Sequence, residues 1–281
     1  MTQDKSFNIA IDKGNNSDQQ MMKKAGRVMA MQVRERFVPY CDTHTLKKWA
    51  HGAGYTVELP TTVTGDTLID ALVDVETHFD NTFVPTGDRQ VAVRFSDLGL
   101  IRKAQRWQNL EKQTDKYLVN GEFTKFNTLK VFGMPDAWFP AKVRAVCFNG
   151  KSVLDPMKIK DLRQKNDSEN IDGVLLLGRF YFDAFVIGAR CDGVAVIVDN
   201  GFKAATPTVT KGTTTTAIAS TTASANIYYT TDGSDPRYSA SRVAYSAAIT
   251  NPAAGVEIKA VAEKIDTGNI YWSDVVVHTC A

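Results

Sequence analysis

The sequence predicts an α+β domain over residues 1–203 and a small all-β domain over 204–281, and three observations carry that prediction. Two long stretches place apolar residues at helical spacing, and several short ones alternate or run apolar as strands do. Helical periodicity then stops near Ala204, where nine threonines fall between Thr206 and Thr222. With 281 residues, 43% hydrophobic and 23% charged, the chain has the composition of an ordinary folded protein with room for two cores. Lys plus Arg (33) nearly cancels Asp plus Glu (31), which excludes the concentrated basic surface of a dedicated nucleic-acid binder. Residues 204–281 hold five basic and six acidic groups, so the small positive excess lies in the first domain. Cys41, Cys147, Cys191 and Cys280 lie far apart with no CxxC pair and read as reduced thiols of a cytosolic product, not as a zinc site or a disulfide framework. The start, MTQDKSFNIAIDKG, has no apolar signal region, and no run reaches membrane-spanning length, so a soluble product inside the cell that makes it is expected.

Phe7, Ile9 and Ile11 alternate with Asn8, Ala10 and Asp12, the pattern of a half-buried strand, which DKGNNSD breaks. Ser17 or Asp18 can cap a long amphipathic helix over about 18–50 with the stripe Met22, Ala25, Met29, Val33 and Phe37. Lys23, Lys24, Arg27, Arg34 and Arg36 fall mostly on its other faces. Pro39 makes the stretch to His51 either a kinked continuation or a second helix. Residues 65–82 put Leu68, Leu72, Val75 and Phe79 on one stripe with acids opposite, a second helix ending near Pro85. Arg89–Phe95 alternates as a strand, and Ser96-Asp97-Leu98 gives a cap signal for a short helix through Ala104. Glycines and prolines among apolar residues favour short strands over 121–148. Val174–Leu177, Phe182–Ile187 and Val194–Val198 read as strands of a mixed sheet. In the last domain Ile227–Thr230, Glu257–Ala262 and Ile270–Val277 are strand patterns separated by turn clusters such as DGSDP and NPAAG.

Nothing in the chain has the spacing of a catalytic motif: GxSxG, HExxH, the P-loop and the dinucleotide fingerprint are all missing, so no catalytic residue, cofactor or metal set is expected. His44 and His51 can share a helix face but lack a third ligand, and His78 and His278 are scattered, which favours solvated or capping roles. Asp74, Asp232 and Asp235 have no partner of matched role and read as surface or turn acids. DGSDP clusters side-chain oxygens but lacks the register of a calcium loop, so a tight turn is favoured. The basic residues of the first helix are interleaved with acidic and apolar ones, the pattern of a solvated or subunit-facing helix more than of a nucleic-acid contact.

Taken in order, these segments resemble the major capsid proteins of tailed bacteriophages with the HK97 fold. SFNIAIDKGNNSDQQMMKKAGRVMAMQVRERFVPYCDTHTLKKWA is similar to the returning strand of that family's extended loop followed by its spine helix. LIDALVDVETHFDNTFVPTGDRQVAVRFSDLGLIRKA is similar to the helix, "VP-x-x-x-R" turn, strand and short helix of the axial domain. LDPMKIKDLRQKNDSENIDGVLLLGRFYFDAFVIGARCDGVAVI resembles the closing part, with Ile171-Asp172-Gly173, Gly178-Arg179, Tyr181, Asp183 and Val186 in the family's wording. The C-terminal NIYYTTDGSDPRYSASRVAYSAAI and GVEIKAVAEKIDTGNIYWSDVV resemble the immunoglobulin-like sandwich at the C-terminus of chitobiases and β-hexosaminidases, where it is an accessory and not the catalytic domain.

The resemblance implies an HK97-like capsid domain over 1–203, with an extended-loop remnant at 1–16, a spine helix at about 18–50, an axial domain at about 60–150 and a returning peripheral segment at about 151–203. An immunoglobulin-like β-sandwich follows at 204–281. It further implies a structural, non-enzymatic subunit that assembles with itself into capsomers and an icosahedral shell around double-stranded DNA. The packaged DNA would meet dispersed Lys and Arg. A scaffold or maturation protease and a portal are the implied partners, and the virion, assembled in the bacterial cytoplasm, the implied location. Phe7, Ile9, Ile11, Arg27 and Arg34 are the candidate assembly surface, and Trp107, Trp138 and Phe180 are either interface anchors or core. The sandwich is expected to project as a decoration, with Tyr228, Tyr238 and Trp272 as candidates for stacking on a glycan or host surface. In the capsid family an arm and the outgoing strand of the extended loop precede the SFNIAID-like segment. Without that partner, Phe7–Ile11 is expected to be disordered or adventitiously paired. Two rival readings remain: a carbohydrate-binding or adhesive surface protein, from the C-terminal module alone, and a prophage-derived compartment or tail-associated protein that reuses the fold.

Overall fold

A strand alternating Phe7, Ile9 and Ile11 needs a partner for its backbone, and the first domain supplies one from its far end. The structure is a computed structural model that describes residues 1–14, 25–104, 118–119, 122–123, 125–166, 172–266 and 269–280. β1 (Gln3–Asp12) precedes a helical run of α1 (Ala25–Gln32), a π-helical turn (Val33–Phe37) and α2 (Val38–His51). β2 (Tyr55–Glu58), α3 (Gly65–Asn81), β3 (Arg89–Arg94) and α4 (Phe95–Lys103) follow. Next come β4 (Leu118–Val119), β5 (Glu122–Phe123), β6 (Lys125–Phe126), β7 (Leu129–Met134) and β8 (Val143–Asn149). β9 (Val153–Leu154), β10 (Met157–Lys165), β11 (Gly173–Phe182), β12 (Phe185–Val186) and β13 (Val194–Val198) complete this part. The remainder holds β14 (Thr208–Lys211), β15 (Thr215–Ala219), β16 (Asn226–Thr230), β17 (Val243–Ala244), β18 (Ile249–Thr250), β19 (Glu257–Asp266), β20 (Asn269–Trp272) and β21 (Val276–Thr279). The chain divides into two units, Met1–Trp49 with Val153–Val186 and Ala50–Ser152 with Ile187–Ala281.

In the first unit an antiparallel sheet runs β1-β11-β10. β1 is neither disordered nor adventitiously paired: it matches β11 in unbroken register from Gln3 opposite Phe182 to Asp12 opposite Gly173. The reason is length and pattern, because β11 is as long as β1 and sets Leu176 and Phe180 beside Ile9 and Lys5 on the face that carries Phe7 and Ile11. The helical stripe is as the spacing predicts, with Ala25, Met29, Val33 and Phe37 all half-buried. Ser17, Asp18, Met22, Lys23 and Lys24 lie outside the described residues. Pro39 bends nothing into a separate helix. It has no N–H for the Glu35 carbonyl, and the π turn just before it, closed by the Val38 N–H on the Val33 carbonyl, absorbs the mismatch while the helix continues. The expected strand Phe182–Ile187 is instead the end of β11 and the short β12, separated at Asp183 and Ala184.

In the second unit six strands form a mixed sheet in the order β2-β13-β8-β3-β7-β6, parallel at β13–β2 and β3–β7. α3 lays Leu68, Leu72, Val75 and Phe79 into a core with Val91 and Val93 of β3, Cys147 of β8 and Ile197 of β13. A reciprocal capping box between Thr64 and Thr67 starts α3. α4 starts one residue before the expected signal. Its Ser96 N–H is capped from outside by Asp136 (3.2 Å), and Asp97 turns inward to Arg144 at 2.6 Å.

The last strands pair only among themselves, as sheets β14-β15-β18 and β17-β16-β19-β20, with β21 also on β19. Ile218, Ile258, Ala260 and Cys280 form their core, with Tyr229 and Tyr245 packed against it. The expected strand over Ile270–Val277 is two strands, β20 and β21, that pair with different ends of β19. The break falls at Ser273, whose N–H donates to the Ala262 carbonyl and whose hydroxyl accepts from the Ala262 N–H.

Candidate assembly surface

The residues expected to face neighbours divide into two groups. Phe7 and Ile9 are half-buried and Ile11 is 6% exposed, because this face of β1 packs inward, with the Phe7 ring 6.3 Å from Phe180. Phe180 is itself core, stacked on Phe37 of the helical run at 3.5 Å. These positions hold the first unit together and are not a free surface. Arg27 and Arg34 are solvent-facing, with Arg34 paired to the neighbouring Glu35 at 3.2 Å. Met31, Val38 and Tyr40 are exposed on the same helical run. Trp138 is half-buried in a short 3-10 turn, and Trp107 lies outside the described residues.

The wording Gly178-Arg179 has a steric explanation. A Cβ at Gly178 would stand 2.3 Å from the Phe7 ring, so the glycine is the seat on which that ring lies. Arg179 points to the opposite face and clasps Asp4 with Nε and Nη2 at 3.1 and 2.7 Å. Asp183, where β11 ends, pins strand to helix: His44 Nε2 lies 3.1 Å from one oxygen, the Thr2 N–H donates to the other at 2.8 Å, and the Ala184 N–H donates at 2.9 Å. Burial alone would raise its pKa, but the His44 hydrogen bond with the Ala184 and Thr2 donors holds it down at about 2. His44 therefore has a structural partner that the spacing of the histidines did not reveal.

The VP-x-x-x-R turn is organised around Arg89, a charged side chain only 1% exposed. Its Nη2 donates to the Val84 carbonyl, its Nε to the Pro85 carbonyl at 3.1 Å and its Nη1 to Thr128 Oγ1 at 3.3 Å, with Asp80 at 2.8 Å. Asn149 Nδ2 donates to the Pro85 and Gly87 carbonyls, both at 3.0 Å. Two side chains thus satisfy the Val84, Pro85 and Gly87 carbonyls of the loop between α3 and β3.

In the C-terminal segment the DGSDP turn closes on itself. Asp232 accepts from the Ser234 N–H and from the Ser234 and Ser241 hydroxyls, which together hold its pKa down at about 2. The two residues after it do something the sequence did not disclose. Arg237 grips Asp235 through Nε and Nη2 and donates from Nη1 to the Gly54 carbonyl, while the Tyr238 hydroxyl donates to the Gly52 carbonyl. The Tyr238 ring lies against Gly188, and burial pushes its phenol pKa up. Gly54 must be glycine for this neck, since a Cβ there would meet the Cys191 carbonyl group at 2.5 Å. Lys203 adds a second tie, to the Thr56 carbonyl (3.0 Å) and Asp274 (2.6 Å). Of the three candidate glycan contacts, Tyr238 is spent on this docking and Trp272 is 8% exposed, packed beside Tyr228 at 6.1 Å. Strand alternation says nothing about the docking turn that carries Tyr238, and Trp272 is on the buried side of β20. Tyr228 remains half-buried with Arg242 over its ring at 4.7 Å.

Among the described residues no group of three or more His, Cys, Asp or Glu is placed to hold a metal ion, and no helix is long and apolar enough to cross a membrane. His78 sits stacked on Tyr55 at 4.0 Å, and burial lowers its pKa. All four cysteines are free thiols.

A spine helix on a long antiparallel sheet, joined to a unit with a mixed sheet under two helices, is the HK97-like capsid fold. Solved structures share it. The capsid of Cyanophage P-SCSP1u matches with a TM-score of 0.57 and 15% identity over 70% of this chain and 72% of that one. A structure from Mycobacterium phage Che8 matches at 0.51 and 13% identity over 70% of each chain, and the mature capsid of bacteriophage PhiM1 at 0.50 and 12% over 71% of each. Residues 216–279 match the family model described as Fn3 associated, in keeping with the immunoglobulin-like reading of that segment. No curated protein matches the chain by sequence.

Proposed function

We propose that this chain is a major capsid subunit of a tailed bacteriophage or prophage, a non-enzymatic building block whose copies close into an icosahedral shell around double-stranded DNA. The observation that carries the reading is the fold shared with a phage capsid over 70% of the chain. Exposed Met31 and Val38 on the helical run that also carries Arg27 and Arg34 support it, since exposed apolar side chains among cations suit burial against another subunit. Residues 1–203 form the shell-building part and 204–281 a decoration seated on it through Arg237 and Tyr238. Scaffold or protease, portal and packaged DNA are the partners of such a subunit, and the virion is its place. The test is size exclusion with light scattering and negative-stain microscopy of the full chain across concentration and salt. Capsomers or shells are expected, and a monomer under every condition refutes the reading.

A further inference from the structure

Phe83 is the most exposed of the large apolar side chains among the described residues, at 93%, and its backbone sits at φ 57°. An aromatic ring in water and a left-handed backbone at a bulky residue are both unfavourable, and together they mark a position whose conformation the surroundings impose. The loop is tied down on both sides. The Thr82 N–H and hydroxyl donate to the His78 carbonyl, the Phe83 N–H to the Asp80 carbonyl at 3.2 Å and the Val84 N–H to the Phe79 carbonyl at 2.9 Å, while Arg89 holds the carbonyls of Val84 and Pro85. The ring is therefore presented on a rigid pedestal. The ring is itself part of the wall of a cleft of about 340 Å³, which Val84, Pro85, Ala189 and Gly193 also line, together with two cations, Lys151 and Arg190, and one carboxylate, Asp192.

We propose that Phe83 is an anchor between subunits, and that the cleft which receives it is this same cleft on a second copy of the chain. The inference rests on the shell-subunit reading above and adds the contact. Two features select a second copy as the occupant. The ring stands at the wall of the cleft, so two copies related by a two-fold axis lay each ring in the other's cleft, against the other's ring, and make both contacts at once, which is the self-complementarity an isologous interface requires. The negative faces of the ring also match Lys151 and Arg190, which outnumber the one carboxylate of the cleft, Asp192. A rigid aromatic entering a preformed cleft loses little freedom on association, the property of residues that dominate interfaces.

Two experiments on the full chain test it. Phe83→Ala is expected to raise the concentration needed for half-assembly at least tenfold and to leave the thermal midpoint of the unassembled chain unchanged, because the ring supports nothing in its own subunit. Separately, a Phe83→Cys chain mixed with an Ala189→Cys chain is expected to give a disulfide-linked dimer under mild oxidation that neither variant gives alone. Assembly of Phe83→Ala within twofold of the native chain, or a mixture that cross-links no more than its components, overturns the contact and leaves the shell reading standing. A native chain that never assembles overturns both.

Discussion

The docking of the C-terminal sandwich can be separated from its folding with two substitutions. Tyr238→Phe removes one hydroxyl and leaves the Gly52 carbonyl without its donor at a site that burial keeps dry, a cost of about 1–2 kcal/mol. Arg237→Met keeps much of the volume but strips the two-pronged grip on Asp235 and the bond to Gly54. Breaking a fully buried pair costs about 3–5 kcal/mol, but Asp235 is 31% exposed and stays hydrated. About 2 kcal/mol for the pair and about 1 for the Gly54 carbonyl therefore give a loss near 3 kcal/mol. The double variant should cost less than the sum, because the two side chains share one site. Thermal unfolding combined with hydrogen exchange reads both quantities. The midpoint should fall, and amides over 50–56 and 188–193, which belong to the neck and not to the sandwich, should lose protection together with 231–242. If Arg237→Met melts like the native chain and exchange over 50–56 is unchanged, the sandwich is a pendant and the reasoning fails.

Gly178→Ala should displace the Phe7 ring at a cost of about 1–3 kcal/mol, visible as faster exchange along Gln3–Asp12 and not in the second unit. Asp183 has a folded pKa of about 2 against an ordinary 3.8, so its stabilisation of about 2 kcal/mol is complete above pH 4 and is lost as pH falls towards 2. Acid titration of stability should flatten in that window for Asp183→Asn, best read with Asp232→Asn as a background because that exposed carboxylate titrates in the same range. Arg89→Met should be the most damaging single change near the α3–β3 loop, about 3 kcal/mol by denaturant titration, because it takes the Arg89 donor from the Val84 carbonyl in a buried place and removes one of the two side-chain donors on the Pro85 carbonyl, which keeps Asn149. Burial pushes the thiols of Cys41 to about 12 and Cys191 to about 11, and raises Cys147 as well, so maleimide should label these three slowly at pH 8 until the chain is unfolded.

Local periodicity was sufficient for the elements whose partners are near or whose face is long. The stripe from Ala25 to Phe37 and the α3 stripe from Leu68 to Phe79 follow directly from spacing. Pairings across the chain were not legible in that way. β1 showed which face it buries but not that its partner begins at Gly173, and the absence of a hairpin neighbour suggested a loose strand. Arg89 was readable as a motif through resemblance, yet an arginine by composition is a surface residue, and only the fold reveals that it is the peg of its loop. Arg237 and Tyr238 fail for the same reason in reverse. An Arg-Tyr pair after a polar turn looks solvent-facing, and its acceptors at Gly52 and Gly54 carry no side chain by which a sequence could announce them.

The distribution of burial bears on how such a subunit holds together before it meets its copies. From Ala25 to His51 the helical path is about 40 Å long. No residue of it before Leu46 is fully buried, and Met31 and Val38 stand 43% and 41% exposed. A helix packed on one side only draws its stability from that side, and here the packing is carried by few side chains, Phe37 on Phe180 and His44 on Asp183 among them. Covering the outer face by another subunit would therefore raise the stability of the fold and complete the contact in one event, and the thermal midpoint would rise with protein concentration. The same logic applies to Phe83, whose exposure has no intramolecular purpose. On the capsid reading proposed above, a second copy closes the apolar surface this chain leaves open, and assembly and final stability are then a single process.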